Sequence, residues 1–352
     1  MSKIIKIIHI VPTSFGGGVE TAAKSFLNYS CKSFVFKVIF LQNKKFDNPF
    51  FSYLFSLKII IEKNPDIILT SLWKSNFITL IYKIISPSTR IILFLHSTRN
   101  KNFIDKFITS LAAFFAFEIW ADAESTLKER LDRLSFLKYQ KTKVHNIKNK
   151  RVISLVTEKL EPSHKKSCNP SFIYWGRLSP EKNIDIAIEL FYKIFKIEEK
   201  SSLTIIGPDY GEKESIKFKI NKLGLKENII VYDYMSLKEI IKFASTSCFF
   251  IQLSSYEGMA MSVSESMQLG LIPVVTSVGQ ISSYCKHMQN SLIYSGNDKK
   301  TVSEIFSILN SKERYLRIKN NSIKTWQNST LYKTDIISAF DKISNLENKS
   351  DN

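Results

Sequence analysis

At 352 residues, with 44% hydrophobic and 12% aromatic content, the chain is too apolar to be mainly disordered and too long for one ordinary core, so two domains are expected. Its four scattered cysteines, Cys31, Cys168, Cys248 and Cys285, make no C-x-x-C pair and no metal-ligand spacing, which argues against a disulfide framework and fits reduced thiols in a cytoplasmic chain. The net charge of +18 is uneven, with 23 Lys/Arg against 10 Asp/Glu in residues 1–150 and 27 against 22 in residues 151–352; the first half therefore favours an acidic partner, an anionic membrane surface above all.

In chain order, residues 4–10 read as a buried strand, since Lys3 and Lys6 break up any h-region of a secretory signal. Further strands are expected at 34–41, 67–72, 90–95 and 117–121, with helices at 19–29, 53–63, 103–115 and 126–137. The uncharged stretch 107–117 has eleven residues, short of the roughly 20 that span a bilayer, yet residues 101–108 mix lysines with large apolar side chains as interfacial helices do. The polar, basic stretch 138–166 reads as a joint. Beyond it, strands are expected at 172–175, 203–206, 229–232, 248–253 and 273–276, and helices at 184–197, 213–223, 237–244, 261–269 and 302–310, before a last amphipathic helix at 331–346. This alternation implies an α/β chain with two doubly wound parallel-sheet domains, 1–150 and 151–330, followed by a C-terminal segment, 331–352.

The chemistry gathers at strand ends. Gly16-Gly17-Gly18 opens a helix after the first strand, where missing Cβ atoms let amides approach an acceptor; it is not a G-x-G-x-x-G, and no acidic partner for a dinucleotide ribose follows the second strand. His96 ends the strand at 90–95 and is followed by Ser97, Thr98 and Arg99. Asp122-Ala123-Glu124 is the nearest approach to a D-x-D metal motif, at a first-half strand end where a divalent ion is not expected. In the second half, Gly176-Arg177 and Glu181-Lys182 place a forked donor and a point charge on one loop, a pair suited to two phosphates. Glu257 and Glu265 flank Gly258-Met259-Ala260-Met261, where a helix start exposes amides suited to phosphate while the carboxylates suit hydroxyls. No groove-reading helix or basic run interleaved with aromatics is legible, so a nucleic-acid partner is not expected.

The loop Gly176-Arg177-x-x-x-Glu181-Lys182, then Glu257, seven residues, Glu265 and Gly270-x-x-Pro273-Val274-Val275, resembles the signature of glycosyltransferase family 4, retaining enzymes with the GT-B fold. The resemblance spans about residues 4–345. It implies two Rossmann-like domains facing across a cleft, a C-terminal helix returning to the first domain, and metal-independent transfer from a nucleotide-diphosphate sugar, its co-substrate, to a saccharide or lipid-linked acceptor in bacterial surface polysaccharide assembly. No cofactor is implied. By the same resemblance, Arg177 and Lys182 meet the diphosphate, Glu265 the ribose and Glu257 the transferred sugar; Gly17, Gly18, Gly258, Met259, Ala260 and Met261 line the donor site, and His96 sits near the reacting centre. The family commonly has Asp after that histidine, and Ser97 stands there instead, which leaves open how the His96 ring is oriented and charged. Rival readings are a sugar-nucleotide epimerase or a non-catalytic partner subunit with the same fold.

Overall fold

The computed structural model describes residues 4–14, 17–42, 48–134, 150–162 and 169–350. Most of the expected joint at 138–166, together with Gly16 and Cys168, lies outside the described residues. The chain divides into two compact units, one of Met1–Thr157 with Thr330–Asn352 and one of Glu158–Ser329.

The first unit is built on strands β1 Ile5–Val11, β2 Tyr29–Ser30, β3 Phe34–Phe40, β4 Ile67–Ser71, β5 Arg90–Leu95, β6 Ala116–Ala121 and β7 Lys150–Val152, in the order β2-β3-β1-β4-β5-β6-β7. All neighbours are parallel except β2 and β3. Near-continuous Ile, Leu and Phe in β1, β4 and β5 follow from burial on both faces, where alternation has no solvent side to serve. The order reverses at β1 and β4, which makes the carboxyl ends of these strands and their neighbours a natural collecting point for side chains.

The final helix, Tyr332–Ser350, belongs to this unit. Its Phe340 ring packs on Phe34, Phe36 and Trp120 at centroid separations of 5.5, 5.9 and 5.1 Å. The Tyr332 N–H donates to the Val156 carbonyl at 2.7 Å and Asp335 accepts from the Ser154 N–H at 2.9 Å, which ties both ends of this discontinuous unit together.

Two long helices depart from the sequence expectation. Trp73–Ile85 buries Ser75, Asn76 and Thr79 alongside Ile78, Leu80 and Tyr82 while exposing Phe77, Ile84 and Ile85, so polarity alone does not mark its inner face. Lys312–Gln327 buries Ile318, Ser322 and Trp326, spaced four apart in a mostly polar run. The helix expected at 19–29 stops earlier, as Gly18–Ser25, because Tyr29 and Ser30 pair with β3.

In the second unit, β8 Ser171–Trp175, β9 Ser202–Ile206, β10 Ile229–Tyr232, β11 Phe249–Gln252, β12 Ile272–Val275 and β13 Leu292–Ile293 form one parallel sheet ordered β10-β9-β8-β11-β12-β13. Counted from its first strand this is the 3-2-1-4-5-6 order of a dinucleotide-binding sheet, with its switch point between β8 and β11. The loops leaving those two strands carry the second-half motifs. They are closely packed: a Cβ on Gly207, after β9, would lie 1.7 Å from the Gly176 carbonyl oxygen, so only glycine allows these turns to meet.

Candidate functional site

Leaving β8, the chain makes a short 3-10 turn, Pro180–Lys182, and enters the helix Ile184–Phe195 through Asn183 in a left-handed conformation. Asn183 Nδ2 donates to the Leu253 carbonyl at 2.9 Å, and the Ser255 N–H donates to the Glu181 carbonyl at 2.9 Å. The loop after β8 is thereby stitched to the loop after β11.

Inside the seam, Glu257 Oε1 accepts three hydrogen bonds, from Lys182 Nζ at 2.6 Å, Ser254 Oγ at 2.6 Å and Gln252 Nε2 at 2.7 Å. The Gln252 amide is oriented in turn by Ser262 Oγ, which donates to its Oε1 at 2.7 Å. Only 10% of either charged side chain is exposed, so this is a buried ion pair supported by two neutral donors. All three bonds fall on Oε1, which leaves the accepting capacity of Oε2 for another donor. Lys182 spends one of its three N–H donors on the pair.

Arg177 is more open, with 45% of its side chain exposed; its Nη2 lies 3.5 Å from Glu181 Oε1 and its guanidinium lies over the Tyr210 ring, 5.5 Å from the centroid. That ion pair is solvent-screened and weak, so a stronger anion can compete for the guanidinium. Glu265 lies one turn into the helix Met261–Gln268, where its Oε2 accepts from Trp175 Nε1, at the end of β8, at 2.9 Å. Burial pushes its carboxyl up to about 7, an effect reinforced by Glu158 and opposed by the Trp175 hydrogen bond. Near neutrality Glu265 is therefore divided between its acid and its carboxylate.

The helix Met261–Gln268 starts without a side-chain cap, and its first amides are the polar floor of this loop. Ala260, just before it, has φ 56°, a conformation that costs a non-glycine residue about 1 kcal/mol or more. Close neighbours hold it there. The Gln280 N–H donates to the Gly258 carbonyl at 3.1 Å, Tyr284 Oη donates to the Met259 carbonyl at 2.9 Å, and a Cβ on Gly279 would lie 2.2 Å from the Glu257 carbonyl oxygen.

Of the residues expected to act, Arg177, Lys182, Glu257, Gly258, Met259, Ala260, Met261 and Glu265 all lie on these two loops and the helix start in the second unit. Gly17, Gly18 and His96 lie in the first unit. Gly17 is the extended residue before the helix Gly18–Ser25, which also starts without a side-chain cap. His96 follows β5 with only 2% of its side chain exposed; its Nε2 is 2.9 Å from Ser71 Oγ and its Nδ1 3.6 Å from Asp122 Oδ2. Sequence reading missed Gln252, Ser254, Ser71 and the role of Asp122. Each stands at or just after a strand's carboxyl end, and that position was the available signal. Among the described residues, no group of three or more His, Cys, Asp or Glu side chains is arranged to hold a metal ion.

Residues 156–325 match the family model for glycosyl transferases group 1. Over this stretch, just under half of the chain, the sequence is similar to the group 1 glycosyl transferases. Among curated relatives, an uncharacterised glycosyltransferase of Bacillus subtilis is 25% identical over 159 residues, 44% of this chain and 43% of that protein. A GDP-mannose:cellobiosyl-diphosphopolyprenol alpha-mannosyltransferase of Xanthomonas oryzae is 27% identical over 109 residues, 31% of this chain and 29% of that protein. The matches thus span less than half the length of these relatives. Among solved structures, HepE of Anabaena in complex with UDP-glucose superposes with a TM-score of 0.75 at 15% identity over 98% of this chain and 100% of its own. Sucrose-phosphate synthase from Thermosynechococcus elongatus superposes with 0.76 at 11% identity over the same shares. Two parallel-sheet α/β units with these neighbours are the GT-B fold.

Proposed function

We propose that this chain is a retaining, metal-independent glycosyltransferase that moves a sugar from a nucleotide-diphosphate donor to a hydroxyl of a saccharide or lipid-linked saccharide. The observation that carries the reading is the meeting of Arg177, Lys182, Glu257 and Glu265 at the switch point of the second sheet, around an uncapped helix start. A departing diphosphate develops negative charge, and Arg177, the two remaining Lys182 donors and the first amides of the helix Met261–Gln268 supply positive potential to meet it. Glu257 Oε2 accepts from a hydroxyl of the transferred sugar, and Glu265 from the ribose. The relatives support this assignment: HepE was solved with UDP-glucose, and the Xanthomonas enzyme is named for GDP-mannose and a polyprenol-linked acceptor. The test is a thermal-shift panel of UDP-, GDP- and ADP-sugars without added metal. One of them is expected to raise the melting temperature of the wild type and to have a markedly smaller effect on Arg177→Ala; an equal response in the variant would remove the guanidinium from the site.

A lipid-linked acceptor places the enzyme at a membrane, as a peripheral protein on the inner face in the surface-polysaccharide reading. No helix among the described residues is long and apolar enough to cross one. The first unit supports surface contact instead: Phe50, Phe51 and Leu54 on the helix Pro49–Lys63, and Phe103, Ile104 and Phe107 on the helix Phe103–Phe115, are exposed in the half of the chain that holds most of the net positive charge. We expect the protein to sediment with anionic vesicles at low salt and to be released as salt rises. Equal sedimentation with neutral vesicles would refute the electrostatic part.

A further inference from the structure

His96 Nδ1 faces a buried carboxyl, that of Asp122. Four strand ends of the first unit deliver a line of buried polar side chains: His9 on β1, Ser71 at the end of β4, His96 after β5 and Asp122 after β6. Tyr332, the first residue of the final helix, extends the line on the far side. Its Oη lies 3.4 Å from His9 Nδ1, His9 Nε2 lies 2.8 Å from Ser71 Oγ, and Ser71 Oγ lies 2.9 Å from His96 Nε2. At the other end, His96 Nδ1 faces Asp122 Oδ2 at 3.6 Å. Among the described residues, neither His96 Nδ1 nor Asp122 Oδ1 has a hydrogen-bond partner, and both atoms are buried. The imidazole and the carboxyl thus face each other across that gap.

The proton positions follow from counting donors. Ser71 has one proton and faces two imidazole nitrogens, so it cannot donate to both. If both histidines donated to it, a neutral His96 would present its Nδ1 lone pair to a carboxylate, an arrangement that is repulsive. Only one assignment satisfies every neighbour with neutral rings: Tyr332 O–H to His9 Nδ1, His9 Nε2–H to Ser71, Ser71 O–H to His96 Nε2, and His96 Nδ1–H toward Asp122. The neutrality of His9 is supported by its complete burial, the main cause that holds it far below the ordinary histidine range. Burial likewise keeps the Tyr332 phenol protonated. The groups facing His96 are thus Ser71 from β4, Asp122 from beyond β6, and the Phe94 ring of β5 at a centroid distance of 4.2 Å.

We propose that Asp122 is the positioning residue of His96, fixing its imidazole in the Nδ1–H tautomer at the end of a single directed chain from Tyr332. This supplies from the next strand the carboxylate that Ser97 does not provide. It also gives His96 a restricted role, because its Nε2 is taken by Ser71 Oγ and its Nδ1 is turned toward Asp122. The proposal rests on the glycosyltransferase reading for its effect on turnover, and its structural half can be tested without substrate.

Nitrogen-15 NMR of histidine-labelled protein reads the tautomers of the five histidines, with His96→Ala assigning the signal. Wild type is expected to show His96 protonated on Nδ1. Asp122→Ala is expected to lose that preference, while Asp122→Asn, whose carbonyl still accepts, retains it. With whichever nucleotide sugar stabilises the chain, Asp122→Ala should lower kcat about tenfold to a hundredfold at little change in donor KM, and Asp122→Asn should recover most of it. An unchanged tautomer in Asp122→Ala would overturn the proposal. A changed tautomer together with a fully active His96→Ala would overturn instead the placement of His96 in the reaction.

Discussion

Replacing Lys182 with methionine is expected to destabilise the second unit by about 3–5 kcal/mol, the usual result of stranding one partner of a buried ion pair. The methionine keeps most of the stem's volume, so the loss is chiefly electrostatic. Glu257 would retain the two neutral donors of Gln252 and Ser254 but no compensating charge, in a position where 10% of its side chain meets solvent. Glu257→Gln in the same background removes the stranded charge and should restore a large part of the stability. Urea unfolding followed by tryptophan fluorescence closes the double-mutant cycle, and a coupling energy near zero would mean that the pair is not formed in solution. Function should not return with stability. The double variant lacks both the ammonium and the carboxylate, so nucleotide-sugar stabilisation is expected to stay weak and turnover to stay low.

Glu265 gives the second large effect, in the dependence on pH. Its folded-state pKa, about 7, lies above the ordinary carboxyl value of 4.5, so between these two values the folded chain holds a proton that the unfolded chain releases. The associated stability is fully present below about pH 4.5 and is lost as pH rises through 7, at no more than about 1.4 kcal/mol per pH unit. Glu265→Gln cannot titrate, so its stability relative to wild type should grow over that window and level off above it. Paired thermal melts across pH 4.5–8 measure the difference. Parallel curves would show that the carboxyl titrates normally. A ribose hydroxyl that donates to Glu265 favours the carboxylate, so donor binding should release a proton below pH 7 and tighten as pH rises toward it. The glutamine variant should bind more weakly and without that slope.

The strand ends were readable because parallel strands buried on both faces leave continuous apolar runs, and because glycines and charges cluster where those runs stop. The doubly wound architecture and the loops at 176–182 and 257–265 follow from that pattern. What escaped is of two kinds. The helix Trp73–Ile85 blurs the usual code: beside Ile78, Leu80 and Tyr82 it buries Asn76, whose Oδ1 accepts from Thr70 at 3.0 Å and whose Nδ2 donates to Thr109 at 3.1 Å, while Ile84 stays exposed. A hydrophobic-stripe rule is weakened there by buried polar and exposed apolar side chains. The second kind is pairing over long sequence distances. Lys182 and Glu257 are 75 residues apart, and nothing local in either motif says that the phosphate-seeking lysine is already bound to the sugar-seeking glutamate. Ser97 drew attention to a missing carboxylate, but only the parallel register of β5 and β6 brings Asp122 to the histidine.

The helix Tyr332–Ser350 also imposes an order on synthesis. The second unit is one uninterrupted stretch, so all of its strands and helices exist once residue 329 has emerged from the ribosome. The first unit, although translated earlier, is still missing Tyr332, Ile336 and Phe340, all buried in its finished core. Until the helix Tyr332–Ser350 is made, Phe34, Phe36 and Trp120 lack its covering Phe340 ring. During that interval the first unit carries incompletely covered aromatic surface, and it is completed only after the second unit has been translated.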